Sequence, residues 1–253
     1  MKFDPLLEPA KFVRRYKRFF AEMELADGSI ETAHCPNTGS MRNCLVAGSL
    51  CYFSRSDNPK RKLKTSLEYV TCTTGRLACV NTHRANQIVK EALNQGKISE
   101  LSDYQDIAPE VKYGEENSRI DFKLTNPKSE AARGECFVEV KSVTLAEGNI
   151  ATFPDSVTLR GQKHVRELMA MREAGHRAVL FFSVQHQEID KVSVTAEIDP
   201  EYAKLLKRAT ESGVEVLAYQ CLVTADELII HHSIPFNLEP PLHSKSKSKS
   251  IWL

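Results

Sequence analysis

Arg119-Ile120-Asp121-Phe122-Lys123-Leu124 and Glu135-Cys136-Phe137-Val138-Glu139-Val140-Lys141 are two strand-like runs joined by the polar stretch Asn126 to Gly134. Successive strand residues point to opposite faces, so Glu139 and Lys141 project together while Val138 and Val140 enter a core on the other side. Asp121 opposes Ile120 and Phe122 in the same way. If the two runs pair as a hairpin, the two carboxylates come within reach of one cation, with a lysine beside them. Two carboxylates and a lysine suit hard-metal phosphodiester chemistry: the acids hold Mg²⁺ or Mn²⁺, and Lys141 orients water or offsets charge on phosphate oxygens. An ordinary cross-strand ion pair on a solvated face is the plainer alternative. Phe137 and Val143 share the parity of Glu139 and Lys141, however, so this strand is apolar on both faces, and unpaired charges are costly there.

The elements around these runs read as an α/β domain from residue 83 to 236. Ala85, Ile88, Val89 and Ala92 have helical spacing, with Gly96 as a stop. A strand at Val111-Lys112-Tyr113 precedes the two quoted runs. A helix over roughly 156–174, started by Asp155 or Ser156 and ended by Gly175, leads into the apolar strand Ala178–Val184. A helix near 199–212 and strands at 214–223 and 227–231 complete a mixed sheet. Gln162, Lys163 and Arg166, in the N-terminal half of the 156–174 helix, are positioned to reach phosphate or metal-bound water, and Gln162 is a candidate catalytic residue. Glu91, on the first helix, is a candidate third carboxylate for the metal.

Residues 1–82 read as β structure. The run Phe12 to Leu25 alternates in its second half over Ala21, Met23 and Leu25, and Asp27-Gly28 turns it into Ile30–His34. Further strands are expected at 49–53, 67–72 and 77–80, with a short helical stretch near Met41–Leu45. Five short strands and one small helix suggest a barrel of the OB type, with an SH3-like barrel as the rival. His34-Cys35-Pro36-Asn37-Thr38-Gly39-Ser40-Met41 is dense turn chemistry with no derivable role.

The formal net charge of +1 conceals a division: residues 1–82 carry 13 Lys and Arg against 8 Asp and Glu, and residues 83–253 carry 21 against 25. A basic half hints at a nucleic-acid contact. Lys11, Arg14, Arg15, Lys17 and Arg18 lie within eight residues, interleaved with Phe12, Tyr16, Phe19 and Phe20. Cations for phosphates with aromatics such as Tyr16 for bases make a single-strand-binding face, and Lys60, Arg61 and Lys62 form a second candidate cluster. A solvated basic face over buried aromatics is the alternative. Seven cysteines without a C-x-x-C pair indicate reduced, packed thiols rather than zinc or disulfides. With no signal-like h-region and no apolar run near 20 residues, the expected setting is a cytoplasm, with no membrane partner. Residues 237–253, which carry the Lys/Ser run His243–Ser250, are expected to be a disordered tail.

His34-Cys35-Pro36-Asn37-Thr38-Gly39, Val80-Asn81-Thr82, Lys90-Glu91-Ala92, Val111-Lys112-Tyr113-Gly114, Ser118-Arg119-Ile120-Asp121-Phe122, Val138-Glu139-Val140-Lys141-Ser142-Val143-Thr144-Leu145, and Phe153-Pro154-Asp155 with Arg160-Gly161-Gln162-Lys163-His164 resemble the bacterial sugar fermentation stimulation protein A family. The resemblance extends to about residue 236. It implies an N-terminal OB-like domain joined to a PD-(D/E)XK nuclease-like domain, DNA binding, and a role in regulating sugar (maltose) metabolism genes. By position, Asp121 matches the metal-binding Asp of the nuclease fold, Glu139 with Lys141 its E-x-K, and Glu91 the acidic residue some members place on the first core helix. Ile120 stands where a Pro often precedes the Asp. The expected activity is Mg²⁺- or Mn²⁺-dependent cleavage of DNA, single- or double-stranded, with RNA as a further possible substrate. The alternative is a non-catalytic DNA-binding regulator on the same fold.

Overall fold

The computed structural model describes residues 1–114, 118–128 and 134–238. Of the expected 237–253 tail, residues 239–253 lie outside the described residues, as does part of the polar connection before Gly134, whereas Asn237 ends a short strand and Leu238 packs on the core. The first five strands are β1 (Glu8–Tyr16), β2 (Phe20–Glu24), β3 (Ile30–His34), β4 (Leu50–Arg55) and β5 (Thr65–Thr71). They run in the order β3-β2-β1-β4-β5, and a bridge from His34 to Ser66 joins β3 to β5 and closes the barrel. Closure leaves no free edge and encloses Phe12, Ala21, Met23, Phe53 and Leu67 as its filling. A short β6 (Leu77–Cys79) extends β5.

Two details differ from the sequence reading. The run from Phe12 to Leu25 is two strands, because Lys17 and Arg18 turn the chain in left-handed conformations, φ 46° and 63°. Neither residue is the Gly or Asn such a turn favours, so the pattern concealed it. The expected helix near Met41–Leu45 is absent: the segment is a series of turns with φ 54° at Met41 and 64° at Asn43.

The second half opens with α1 (His83–Asn94), which buries Ala85, Ile88, Val89, Ala92 and Leu93. Gly96 ends it at φ +65°, where its amide and that of Lys97 bond back to Leu93 and Ala92. Then come β7 (Tyr104–Tyr113), β8 (Ser118–Pro127), β9 (Cys136–Val143), β10 (Ala146–Glu147), β11 (Ile150–Phe153), α2 (Leu159–Glu173), β12 (Arg177–Val184), β13 (Lys191–Val194), α3 (Pro200–Glu211), β14 (Glu215–Val223), β15 (Leu228–Ser233) and β16 (Phe236–Asn237). The main sheet has the order β15-β14-β12-β9-β8-β7. Its centre is parallel and each flank is an antiparallel hairpin. A smaller sheet of β10, β11, β13 and β16 was not anticipated; strands of two to four residues carry too little alternation to be read.

Helix α2 starts at Leu159 rather than near Asp155, capped by the Thr158 hydroxyl, which accepts from the Gly161 amide. The sheet separates two cores. One joins α1 to Val138, Val140, Phe181 and the barrel's Tyr69. The other joins α2 and α3 to Phe137, Val143, Leu180 and Phe182. Phe3 and Leu7, from the start of the chain, lie in the first core, and Lys2 bridges to Glu227. All seven cysteines are free and buried: Cys79, Cys136 and Cys221 in the first of these cores, and the other four in the barrel filling. Among the described residues no helix is long and apolar enough to cross a membrane.

Candidate functional site

The β8–β9 hairpin comes apart where its two acids stand. The ladder runs from Leu124↔Cys136 to Phe122↔Val138 and stops there. Asp121 then replaces the missing main-chain acceptor: its Oδ2 accepts the Val140 amide at 2.7 Å, and its Oδ1 accepts Asn86 Nδ2 of α1 at 2.7 Å. Ile120 belongs to the α2–α3 core and Phe122 to the α1 core, so the simple alternation expected of this strand is broken at Asp121.

Glu139, only 2% exposed, projects from β9 toward α2. Its Oε1 accepts Lys141 Nζ at 2.7 Å and also meets His164 Nδ1. Nε2 of the same imidazole lies 3.4 Å from Arg160 Nε, so a proton on Nδ1 satisfies both contacts. Glu139 Oε2 is buried and has no hydrogen-bond partner among the described residues. Burial raises the Glu139 carboxyl, but the Lys141 ammonium and the His164 contact outweigh it and hold it below the ordinary range. Asp121 goes the other way. Burial, then the Glu139 charge, push it up to about 6 against the Val140 and Asn86 hydrogen bonds and Lys141.

These groups line a cleft of about 720 Å³ between barrel and sheet domain. Arg18 and Thr38 line it from the barrel; Asn86, Asp121, Lys141, Asp155, Arg160 and His164 line it from the other side. The 37–41 turn, whose role the sequence left open, joins the two walls. Asp155 Oδ2 accepts the Met41 amide at 3.0 Å and the Ser40 hydroxyl at 3.1 Å. Gly39 allows that approach, since a Cβ there would stand 2.6 Å from Asp155 Oδ2. Arg15 donates to the Asn37 and Gly39 carbonyls, and Arg18 to that of Thr38.

Of the residues singled out from sequence, Asp121, Glu139 and Lys141 come together. Gln162 does not join them: it is buried and donates to both oxygens of Asp199, which caps α3 and accepts the Thr158 amide. Glu91 pairs with the Met1 ammonium at 2.8 Å instead. It follows Asn86 by five residues, about 140° round the helix. Arg14 forms a two-bond pair with Glu22, and Lys11 pairs with Glu24. Tyr16 stacks on Phe20 with Arg14 over its ring. Lys17 is exposed at the β1–β2 turn. Lys60 and Lys62 are exposed on the loop before β5, and Arg61 donates to Ser66 there. Only Arg18 of these cations lines the cleft. Asn86, Arg160 and His164 were missed. A histidine on the α2 face that buries Gly161, Val165 and Leu168 was the one available signal.

A closed OB barrel joined to a mixed-sheet domain, with an acid–lysine–histidine cluster in the cleft between them, defines a two-domain protein with one composite site. The family model described as the SfsA N-terminal OB domain matches residues 13–80, and the sugar fermentation stimulation protein RE domain matches residues 83–227. The chain belongs to the sugar fermentation stimulation protein family. It is 54% identical over 235 residues to the homologue from Shewanella sp. strain MR-7, covering 93% of this chain and 99% of that one. It is 56% identical over 220 residues to that of Saccharophagus degradans, covering 87% and 92%. The structure of Pyrococcus furiosus SfsA in complex with Ca²⁺ superposes with a TM-score of 0.83 at 29% identity, covering 94% of this chain and 98% of that one.

Proposed function

We propose that this protein is a DNA-binding, metal-dependent nuclease of the PD-(D/E)XK type, cutting phosphodiester bonds in the interdomain cleft. The observation that carries the reading is the meeting of Asp121 and Glu139 at the fork of β8 and β9, with Glu139 Oε2 buried and unpartnered among the described residues. Two neighbouring carboxylates, one buried and one half-buried, repel one another, and a hard dication relieves the repulsion. Asp121 and Glu139 would hold Mg²⁺ or Mn²⁺; such ions keep several waters and need only one or two carboxylates. The donor set therefore fits, although no group of three His, Cys, Asp or Glu among the described residues has metal-holding geometry. The Pyrococcus furiosus relative, solved with Ca²⁺, is consistent with a hard-cation site in this fold.

When bound, the ion supplies a polarised phosphate and a more acidic water. The chain's own groups do the rest. Lys141, fixed by Glu139, presents its ammonium to water or to the phosphate oxygens where charge develops. His164 locks Glu139 in place, and Arg160 and Arg18, exposed on opposite walls, grip the flanking backbone. In the cell this reading places the protein on DNA that controls sugar (maltose) metabolism. Single- and double-stranded DNA and RNA, incubated with Mg²⁺, Mn²⁺ or chelator, test it beside Asp121→Ala. Cutting that needs metal and disappears in the variant is expected; tight binding without cutting on every substrate overturns it. One observation favours a non-catalytic DNA-binding regulator: both oxygens of Asp121 already accept hydrogen bonds. The same assay separates the two.

A further inference from the structure

A second cavity, of about 300 Å³, opens where the barrel meets the start of α1. It is lined by His34 at the end of β3, Arg61 from the β4–β5 loop, Ser66 at the start of β5, and Asn81, His83 and Arg84 around the first turn of α1. Its floor is Glu68, fully buried but fully answered. Arg84 makes two bonds to it at 2.9 and 2.7 Å, and Asn81 and Ser54 supply one each at 2.9 and 2.7 Å. That carboxylate is thus neutralised, and Arg61 leaves the cavity one positive charge in excess.

The remaining donors are free to meet a ligand. Arg61 donates from one nitrogen to Ser66 Oγ at 2.7 Å and forms no ion pair among the described residues. Neither the His34 nor the His83 imidazole has a hydrogen-bond partner among them. Burial, and then the charges of Arg61 and His83, hold His34 below its ordinary value, as a positive enclosure should. The first amides of α1 are already answered, His83 by Asn81 Oδ1 and Arg84 by the Asn81 carbonyl, so the site is built from side chains. A guanidinium fork and two imidazoles suit a tetrahedral oxyanion. The volume admits a phosphate together with part of its sugar.

The cavity also joins the cleft. His83 lines both, and Asn86, which holds Asp121, follows it by three residues, about 4.5 Å along the helix axis. We propose that this cavity is a phosphate-binding site that takes a phosphate group of the nucleic-acid strand lying in the cleft and so registers the strand against Asp121 and Glu139. The phosphate site stands on its own geometry; its assignment to a strand rests on the nuclease reading above.

Two measurements on the full-length protein in chelator test it. First, inorganic phosphate is titrated while the imidazole resonances of His34 and His83 are followed by NMR, in wild type and Arg61→Gln. Both resonances should move in the wild type, with affinity at least tenfold weaker in the variant. No movement of either at tens of millimolar phosphate overturns the site. Second, binding of a fluorescent oligonucleotide is followed from 50 to 200 mM salt. Arg61→Gln and His83→Gln should each weaken it, and Arg61→Gln should reduce the log–log salt slope by about 0.7–0.9, one phosphate contact. An unchanged slope in a variant that has lost inorganic phosphate overturns the strand assignment and leaves a site for a free phosphorylated small molecule. Absence of any oligonucleotide binding by the wild type overturns the nuclease reading and the strand assignment together, while the phosphate titration still judges the cavity.

Discussion

Asp121 is a strained residue electrostatically, and that makes it testable without any substrate. Its carboxyl sits at about 6 in the folded protein, above the ordinary 3.8, chiefly because of burial and the Glu139 charge. The folded state therefore binds the proton more tightly than the unfolded chain does. As far as this group is concerned, metal-free stability should be greatest below about pH 4, fall as pH rises through 6, and level off above. The difference amounts to about 2–3 kcal/mol. Asp121→Asn removes the penalty and keeps both contacts, because Asn86 can turn its amide to accept where it now donates. The variant in chelator at pH 7.5 should melt roughly 5–10 °C above wild type, and the dependence between pH 4 and 6 should flatten. Calorimetry across that range checks it; equal melting points at pH 7.5 contradict the strained pair. His164 acts through Glu139 and belongs to the same prediction set. His164→Ala should cut metal-dependent cleavage about 10–100-fold while leaving oligonucleotide affinity in chelator unchanged. Glu91→Gln should change neither, since Glu91 faces the other side of α1.

At the scale of elements, the cleft depends on a turn without regular structure. The 37–41 segment is held from the barrel by Arg15 and Arg18 and from the sheet domain by Asp155, so it sets the distance between the walls. Asp155→Ala strands the Met41 amide and should cost about 1–3 kcal/mol, read as a lower denaturant midpoint at unchanged slope. No change in midpoint would show that the turn is held by its arginines alone. The same segment marks where the sequence stopped being legible. Periodicity located α1, β9 and β12, because long elements repeat their pattern several times. Strand parity put Glu139 and Lys141 together, and the expected hairpin brought Asp121 to them although its own alternation breaks there. It could not assign Asp155, which reads as a helix cap yet reaches across 114 residues to the Met41 amide. The sequence reading singled out Glu91 and passed over Asn86, since both lie on one helix and only the packing of α1 against the sheet fixes which face sees the acids. Gln162 looked catalytic for the same reason: a polar residue near a helix start is as well used by a neighbouring cap, here Asp199.

For the whole molecule, the excess of cations in residues 1–82 is a poorer guide to binding than it looks. Glu22 and Glu24 answer Arg14 and Lys11, and Glu8 and Glu31 answer Arg55. The cation exposed toward the cleft is Arg18. Arg18→Gln should therefore lower the salt slope of oligonucleotide binding by about 0.7–0.9, and Arg14→Gln should leave it where it is. Equal effects of the two would move the binding face onto the outer barrel strands. The charge division between halves is not a division between the walls of the cleft, since Lys141 and Arg160 stand on the same wall as Asp121 and Glu139. A last consequence concerns synthesis. Phe3 and Leu7 complete a core with Tyr69, Tyr219 and Leu228, and the Phe3 amide bonds to the Asp226 carbonyl. The barrel can close as it leaves the ribosome and offers Tyr69 to Phe3, but Tyr219 and Leu228 are made more than two hundred residues after Phe3. At about 5–20 residues per second that interval is roughly 10–45 s, during which Phe3 and Leu7 form a half-covered greasy strip and a natural handle for chaperones.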